Sequence, residues 1–194
     1  MAVMIAAIKM CSIAFKEWAG VVAALADGRQ SLILRKGGIA EGPRGFAPEH
    51  SEFWLYPTHV HEAEQGLRTH SAGALDAAAA HPARVPIDVL VAVESIGYAS
   101  RFETLTALEP LHVWTAETVR KRFDYKRPGL WVLGVRALRR GEPAWVEATA
   151  EQAGCKTWVE LGRAIDLTAS TAAVYDDTHA RRMAAIADAL ENDA

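Results

Sequence analysis

The chain has 194 residues, 51% of them hydrophobic and 23% charged, and its formal net charge is −3. These values are typical of a globular protein with a core, and they exclude a disordered chain and a molecule that is strongly basic as a whole. Cys11 and Cys155 form neither a disulfide framework nor a C-x-x-C motif, and no apolar segment approaches the roughly 20 residues that span a bilayer. We therefore expect a soluble, cytoplasmic protein without membrane contacts.

The first half of the chain predicts one helix and two strands. Phe15, Trp18 and Val22 recur at helical spacing and indicate an amphipathic helix over 11–26, which ends at an Asp-Gly pair. The segments that follow are a short strand, a loop rich in glycine and proline, an aromatic strand and a partly helical alanine-rich stretch, over 30–36, 37–48, 53–57 and 60–83.

The second half predicts more strands and two helices. A long strand is predicted over 85–100, and Thr115 is positioned to cap a helix over 116–123. Further strands are predicted over 111–115, 130–140 and 144–148, with a Gly-Glu-Pro turn between the last two. A final helix is predicted over 174–191, with apolar positions at Val174, Met183, Ile186 and Leu190. Because strands and helices do not alternate regularly, the fold class is α+β, and five or six short, bent strands favour a small, partly closed barrel with flanking helices.

Three histidines surround the aromatic strand at 53–57. His59 and His61 would lie on one side of a continuing strand, where His50 could join them around a metal ion. Pro57 is predicted to end the strand before them, however, and residues two apart on a helix do not face each other. We therefore predict histidines that form hydrogen bonds, and neither a metal site nor a cofactor.

One tripeptide raises an enzymatic alternative. Asp124-Tyr-Lys126 is the single D/E-x-K sequence in the chain, and Asp88 or Glu94 could supply the second acid of a metal-dependent nuclease. Chance alone supplies such a tripeptide in a chain of this composition. The common nucleotide-binding and hydrolase motifs are not present, so the sequence leaves open whether the protein is an enzyme.

Cations and aromatic residues alternate in the middle of the chain, which points to nucleic-acid binding. Residues 120–140 hold eight cations against the single acid Asp124: Arg120, Lys121, Arg122, Lys126, Arg127, Arg136, Arg139 and Arg140. Trp114, Phe123, Tyr125 and Trp131 lie among them. Cations bind phosphates and flat rings stack on splayed bases. The alternative is that these cations pair with the acidic residues of 141–194.

Four blocks of sequence resemble a bacterial family known only as domain of unknown function 1802. The blocks are FKEWAGVVAALADGRQSLILRKGGI, FWLYPTHVHE, LHVWTAETVRKRF and GCKTWVEL, which occur in the family's order over about residues 14–161. Some members are joined to restriction-endonuclease-like domains, so the resemblance implies a role in a restriction or defence system.

A more distant resemblance is to the ASCH branch of the PUA-like superfamily. The branch carries a G-x-K-x-x-E-x-R element, in which GRQSLILR matches at Gly28 and Arg35 but has Gln30 and Ile33 at the lysine and glutamate positions. This resemblance implies a bent-strand barrel that binds RNA or modified DNA bases. FWLYP would be a barrel strand with Trp54 and Tyr56 on one face and the residues between them on the other.

The leading hypothesis is a nucleic-acid-binding module for RNA or for a modified or extruded DNA base. The predicted ligand-binding residues are Arg35, Lys36, Tyr56, Thr58, His59, Trp114, Arg120, Arg122 and Lys126. We expect a single PUA-like domain over 1–165 and a C-terminal helical appendage over 166–194. The alternatives are a metal-dependent nuclease or hydrolase and a non-catalytic interaction subunit.

Overall fold

In the part of the chain that the structure describes, a seven-stranded mixed sheet packs with four α-helices, so the predicted α+β class is confirmed. The structure, a computed structural model, describes residues 9–36, 46, 48–59, 66–68, 83–152, 156–167, 171–173 and 178–193. Strands β1 to β7 span Met10–Trp18, Leu32–Arg35, Glu52–Thr58, Arg84–Ala99, Leu130–Glu147, Trp158–Asp166 and Thr171–Ala173. Helices α1 to α4 span Ala19–Ala26, Phe102–Ala107, Ala116–Asp124 and His179–Glu191.

The strands are ordered β2-β5-β4-β3-β1-β6, and β7 pairs with β5 beside β2. β1 and β3 are parallel, with Ala14 opposite Trp54 and Trp18 opposite Thr58, whereas the other pairs are antiparallel. Within the residues described, no backbone pairing joins the edge strands β2 and β6, so the sheet is open and a closed barrel is not confirmed.

Two apolar clusters lie on opposite faces of this sheet. The larger one holds residues of all four helices, such as Leu25, Leu105, Val119 and Ile186, together with inward-facing strand residues. The smaller one is built mainly from strands and includes Val146 of β5 and Val159 of β6, which are four positions apart in the sheet order. The sheet therefore curls so that its helix-free face, the face on which the described part of the chain places no helix, packs on itself.

The alternation predicted for the aromatic strand is confirmed by these clusters. Trp54 and Tyr56 belong to the smaller cluster, whereas Phe53 and Leu55 belong to the larger one. Successive side chains of a strand point to opposite faces, so β3 contributes to both cores. The consequence for the site is that Tyr56 lies on the face opposite to Trp114, which is part of the larger cluster.

The predicted helix over 11–26 is wrong in its first half, which is strand β1. β1 lies between β3 and β6, which pair with both of its edges, and its two faces enter the two apolar clusters through Phe15 and Ala14, so residues 14–17 are all buried. A strand buried on both faces has apolar residues at every spacing, including the spacing of a helix. The second half of the prediction is confirmed by α1, which ends beside Asp27.

Two other strand predictions differ from the structure. The segment predicted as a strand over 111–115 begins in a single 3₁₀ turn, Glu109–Leu111, and contributes only the bridge between Leu67 and Trp114. The predicted turn at Gly-Glu-Pro is instead a bend within β5, because β4 pairs along both sides of it. The pairing with β4 jumps there from Ile87–Ala144 to Val89–Arg139, so Pro143 lies in a part of β5 that is not paired with β4. A proline is tolerated at such a position because it has no backbone N–H to donate. Strands β6 and β7 were not predicted.

The remaining elements agree with the predictions within the described residues. β2, β3 and β4 lie where strands were predicted, and α3 begins with the Thr118 backbone N–H donating to the Thr115 hydroxyl at 3.3 Å. α4 starts at His179 and turns Met183, Ile186 and Leu190 toward the core. Val174, the loop predicted over 37–48 and the partly helical stretch predicted over 60–83 lie largely outside the described residues. No helix in the described part of the chain is both long and apolar enough to span a membrane.

The C-terminal helix packs directly on β4 and β5. At Gly97 a β-carbon would overlap the Leu190 side chain, so a glycine there permits the close approach. Arg182 Nη1 donates to the Gly28 carbonyl at 2.6 Å and to Ser31 Oγ at 2.9 Å, and His179 Nε2 lies 2.7 Å from Glu94 Oε2. The predicted division of the chain after residue 165 stays a prediction.

Candidate nucleic-acid interface

Arg122 lies between two indole rings. Its guanidinium carbon is 4.7 Å from the ring centroid of Trp18 and 5.7 Å from that of Trp114. Trp18 is the last residue of β1, and Trp114 is followed directly by Thr115, whose side chain caps the helix that carries Arg122. The guanidinium is attracted to both ring faces, so these three side chains form one cationic and aromatic unit.

A second cation and a buried carboxylate surround this unit. Burial lowers the pKa of Arg122 to about 10, the Glu17 carboxylate acts to raise it, and the Arg35 guanidinium acts to lower it further. Glu17 is only 2% exposed, and its Oε1 accepts a hydrogen bond from the Trp18 backbone N–H at 2.9 Å. We call Glu17, Trp18, Arg35, Trp114 and Arg122 the arginine–tryptophan cluster; its two cations exceed its one carboxylate.

Two donors of the cluster are buried without a hydrogen-bond acceptor among the described residues: Arg122 Nη1 and Trp114 Nε1. Buried donors are normally paired, because leaving one unpaired costs about 1–3 kcal/mol. Both atoms can only donate, so the group that would satisfy them is an acceptor such as a phosphate or carbonyl oxygen. The excess of positive charge favours the same kind of group.

The cluster lies at the carboxyl ends of the two parallel strands. Trp18 ends β1 and is opposite Thr58, which ends β3, and His59 follows directly. α1 starts at Ala19, and Trp18 at its N-cap position supplies no side-chain capping bond. The N-terminus of a helix carries a partial positive charge, which adds to the charge of the cluster. Thr58 and His59 are half-buried at this strand end.

Arg35 also connects the cluster to the start of β6. Its Nε and Nη2 lie 3.0 and 2.5 Å from Thr157 Oγ1, and its guanidinium carbon is 5.1 Å from the Phe15 ring centroid. Three predicted residues, Arg35, Trp114 and Arg122, are therefore brought together by the fold.

Tyr56 lies in a different polar group on the opposite face of β3. Its hydroxyl is 3.5 Å from Gln152 Oε1, and the Lys16 ammonium lies 5.9 Å from its ring centroid. Burial raises the pKa of Tyr56 above its ordinary value. Tyr56 is therefore not part of the arginine–tryptophan cluster.

Lys36 is placed at the C-terminal end of α3. Its ammonium donates to the carbonyls of Phe123 at 2.7 Å and Gly129 at 2.8 Å, and also to the carbonyl of Arg127. Burial, followed by the nearby Arg127 charge, lowers the pKa of Lys36. These contacts hold the end of the helix and the turn after it, so the ammonium is engaged with the chain itself.

The other two predicted cations lie outside the cluster, on or just after α3. Arg120 stacks on Phe102 with 3.4 Å between the guanidinium carbon and the ring centroid, and it lies 4.0 Å from Asp124. Lys126 is exposed and its ammonium is 5.3 Å from the Tyr125 ring centroid. Both are accessible to solvent and can meet phosphates.

The alternative prediction is that the cations of residues 120–140 pair with the acidic residues of 141–194. The ion pairs among the described residues do not support it. Lys121 pairs with Glu117 and Arg136 with Glu94. Arg139 lies 3.8 Å from Asp88 and 3.9 Å from Asp27. All of these acids precede residue 141.

Sequence reasoning missed Glu17 and assigned Trp18 to a helix. The available signal was the pair Lys16-Glu17 inside an otherwise apolar segment. Both are buried, at 7% and 2% exposure, and buried charges are retained only where they are paired or functional. Gln30, at the lysine position of the ASCH element, is fully buried and donates to the Leu32 carbonyl at 2.8 Å.

The three histidines do not form one group. His50 packs edge-on against Trp158, with 4.8 Å between ring centroids, and His59 lies beyond the opposite end of β3. A strand rises by about 3.3 Å per residue, so their backbones are roughly 30 Å apart. His61 lies outside the described residues. Within the described ranges, no three His, Cys, Asp or Glu side chains are close enough together to hold a metal ion.

The acids of the nuclease alternative are also apart. Asp88 and Glu94 are six residues apart on β4, which is roughly 20 Å along a strand. Burial raises the pKa of Asp88, although Arg139 opposes this, whereas hydrogen bonds from Arg136 and His179 outweigh burial and lower the pKa of Glu94. Asp124 is at the end of α3, beside Arg120.

Fold and site together define an α+β sheet protein with a cationic, tryptophan-lined cluster at the ends of its parallel strands. The model of the family described as Domain of unknown function (DUF1802) matches residues 14–185, and the chain belongs to this family. This confirms the resemblance carried by the four sequence blocks. No curated protein matches the sequence significantly.

Among solved structures, the chain is similar to the crystal structure of ASCH from Zymomonas mobilis. The TM-score is 0.45 at 9% identity, with 90% of this chain and 94% of that chain covered. A serine-to-alanine mutant of the same protein gives a TM-score of 0.46 at 9% identity, with 90% and 94% covered. These values describe a distant likeness, so the function is inferred below from the residues of this chain.

Proposed function

We propose that this chain is a nucleic-acid-binding module whose arginine–tryptophan cluster recognises RNA or a modified or extruded DNA base. The observation that carries the proposal is Arg122, which is stacked between Trp18 and Trp114 while its Nη1 has no acceptor among the described residues. A base carbonyl or a phosphate oxygen is the acceptor that nucleic acids offer at such a site.

Two kinds of contact contribute to binding in this proposal: directed hydrogen bonds and non-specific phosphate contacts. Arg122 has a planar guanidinium in a fixed position, which suits directed hydrogen bonds to a base edge or a phosphate. Arg120 and Lys126 are exposed cations, which suit non-specific phosphate contacts that release counterions. Arg35, held by Thr157, contributes a fixed charge beside Arg122.

The proposal includes a PUA-like barrel as the architecture of the module. Arg35 of edge strand β2 bonds to Thr157, the residue before edge strand β6, so a side chain spans the gap between the two sheet edges. The self-packing of the helix-free face supports the same curvature. The link to a restriction or defence system, implied by the family resemblance, stays a prediction.

Fluorescence anisotropy tests the proposal with labelled single-stranded RNA, single-stranded DNA and duplex DNA, each with and without a modified base. Arg122→Lys keeps the charge and removes the planar fork, so we expect about tenfold weaker binding with little change in the salt dependence. Arg120→Gln should instead reduce the slope of log affinity against log salt by about 1 on every probe.

Arg136→Gln is the matched control, because Arg136 belongs to the same basic segment but pairs with Glu94 away from the cluster. It should bind like the wild type once thermal melting has shown that all variants are folded. Anisotropy that stays flat for the wild type on all probes would contradict nucleic-acid binding and favour the interaction subunit. Binding that Arg122→Lys does not weaken would remove the cluster from the interface.

A further inference from the structure

A separate cavity of about 220 Å³ lies between α2, the 3₁₀ turn and α3. Phe102, Leu105 and Val119 form apolar walls, His112 lines it, and Ala116 belongs to the first turn of α3 at its edge. An apolar cavity of about 150 Å³ holds one benzene molecule. This cavity therefore has room for one ring or two fused rings.

His112 is the unusual group in this cavity. The residue is 2% exposed, and neither of its ring nitrogens has a hydrogen-bond partner within the described residues. Burial, and then the nearby charge of Arg68, lower the pKa of His112 to about 4, so the imidazole is neutral at pH 7. The Trp114 backbone acts on this pKa in the opposite direction, and the donor and the acceptor of the neutral imidazole both lack a hydrogen bond of normal geometry within the described residues.

The charged groups around the cavity are already engaged. Glu109, the charged residue in the cavity lining, has its Oε1 3.2 Å from Arg68 Nη1, so these two charges pair with each other. A charged ligand would therefore lose its hydration without gaining a free counter-charge. A neutral ligand loses little hydration energy on entering the cavity and can form a hydrogen bond with the His112 imidazole.

We propose that this cavity binds a neutral, planar heteroaromatic molecule of one or two fused rings, which hydrogen-bonds to His112. The apolar walls contact the ring faces, and a ring nitrogen supplies the donor or acceptor that the imidazole lacks. The His112 ring packs on Trp114, with 5.5 Å between the ring centroids, and Trp114 also contacts Arg122. The cavity is therefore next to the arginine–tryptophan cluster. This inference does not rest on nucleic-acid binding.

Three probes of the same shape separate hydrogen bonding from apolar contact: benzimidazole, which has a donor and an acceptor, indole, which has a donor, and indene, which has neither. Binding is measured by amide chemical-shift titration of the full chain. We expect shifts confined to residues 102–120 and an affinity for benzimidazole about tenfold higher than for indene, since one or two hydrogen bonds distinguish them.

Two variants locate the site. His112→Phe keeps a ring of similar size and should abolish the preference for benzimidazole over indene. Ala116→Trp places a large side chain at the edge of the cavity and should weaken all three probes. Glu117→Trp is its matched control, because Glu117 is the exposed neighbour and its carboxylate pairs with Lys121 instead of lining the cavity.

The outcomes are decisive in either direction. Absence of shifts with all three probes, shifts outside 102–120, or equal weakening by Ala116→Trp and Glu117→Trp would overturn the proposal. A preference for benzimidazole that survives in His112→Phe would overturn the role of His112. If His112→Phe does not fold, the wild-type preference and the Ala116→Trp comparison still decide the matter.

Discussion

Replacing Asp193 with alanine is expected to destabilise the protein by uncapping α2, a helix from the middle of the chain. Asp193 Oδ2 accepts hydrogen bonds from the Ser100 backbone N–H at 2.6 Å and the Ser100 hydroxyl at 2.8 Å. Its Oδ1 accepts from the Arg101 backbone N–H at 3.0 Å and from the Thr104 hydroxyl. The residue at the N-cap position, Arg101, supplies no side-chain cap. Asp193 therefore caps α2 from the far end of the chain.

The expected loss of stability follows from the hydrogen bonds that the donors around Asp193 lose. Loss of an N-cap costs about 0.5–2 kcal/mol. Ser100 and Arg101 are exposed and can bond to water, but Thr104 is 7% exposed, and an unpaired buried hydroxyl costs about 1–3 kcal/mol. We expect Asp193→Ala to lower the free energy of unfolding by about 2–3 kcal/mol in total. For a chain of this size that is a fall of about 4–12 °C in Tm.

The pH dependence gives an independent check. Burial acts to raise the pKa of Asp193, but the hydrogen bonds from Thr104, Ser100 and Arg101 outweigh it and hold this pKa below its ordinary value. A carboxylate with a lowered pKa in the folded state contributes stability above its unfolded pKa of about 3.9 and loses it as the pH falls through the folded value. The difference between wild type and Asp193→Ala should therefore shrink in acid.

Urea unfolding followed by tryptophan fluorescence measures both quantities. Asp188→Ala is the control, because Asp188 is exposed on the same helix and its loss should change stability by less than about 0.5 kcal/mol. In a Thr104→Val background, Asp193→Ala should cost about 1 kcal/mol less, since no hydroxyl is left unpaired. Equal stabilities of Asp193→Ala and Asp188→Ala would refute the capping account.

Three further predictions concern single side chains. As the pH falls from about 6.5 to about 4, His112 takes up a proton in the unfolded chain but stays neutral in the folded one, so the free energy of unfolding should fall by roughly 3 kcal/mol. Urea titrations at several pH values measure this fall, and His112→Phe should remove it. Gly129→Ala should cost about 1–3 kcal/mol or more by thermal melting, because φ is 122° and the new β-carbon would overlap the Tyr98 ring, whereas Gly141→Ala, with open space around it, should be nearly neutral. Lys36→Met should cost about 2 kcal/mol and speed amide exchange at the end of α3, and unchanged exchange there would show that the ammonium does not hold that end.

Local signals predicted much of the fold because they act over a few residues. The Thr115 cap defined the start of α3, and the long apolar run over 85–100 matched β4 to within one residue at each end. The two-residue alternation in FWLYP correctly assigned Trp54 and Tyr56 to one face of β3. Each of these signals depends on backbone geometry that neighbouring residues determine together.

The errors arose where partners distant in sequence decide the structure. Residues 11–18 have the spacing of a helix, but β3 and β6 pair with both edges of this segment and satisfy its backbone as a strand. The Gly-Glu-Pro segment has the composition of a turn, but β4 pairs on both sides of it and keeps β5 continuous. Tertiary pairing supplies more hydrogen bonds and buried area than a local preference can oppose.

For the candidate site, the sequence alone identified the residue types and three residues of the cluster, Arg35, Trp114 and Arg122. Only the tertiary structure decided which side chains meet. The register of β1 against β3 places Trp18 beside Thr58 at the ends of the parallel strands, and packing of α3 places the Arg122 guanidinium on Trp18. The same sheet turns Tyr56 to the opposite face. Composition and spacing specify charge, ring type and face, whereas distances between side chains on different elements depend on strand register and helix packing, which residues far apart in the sequence determine jointly.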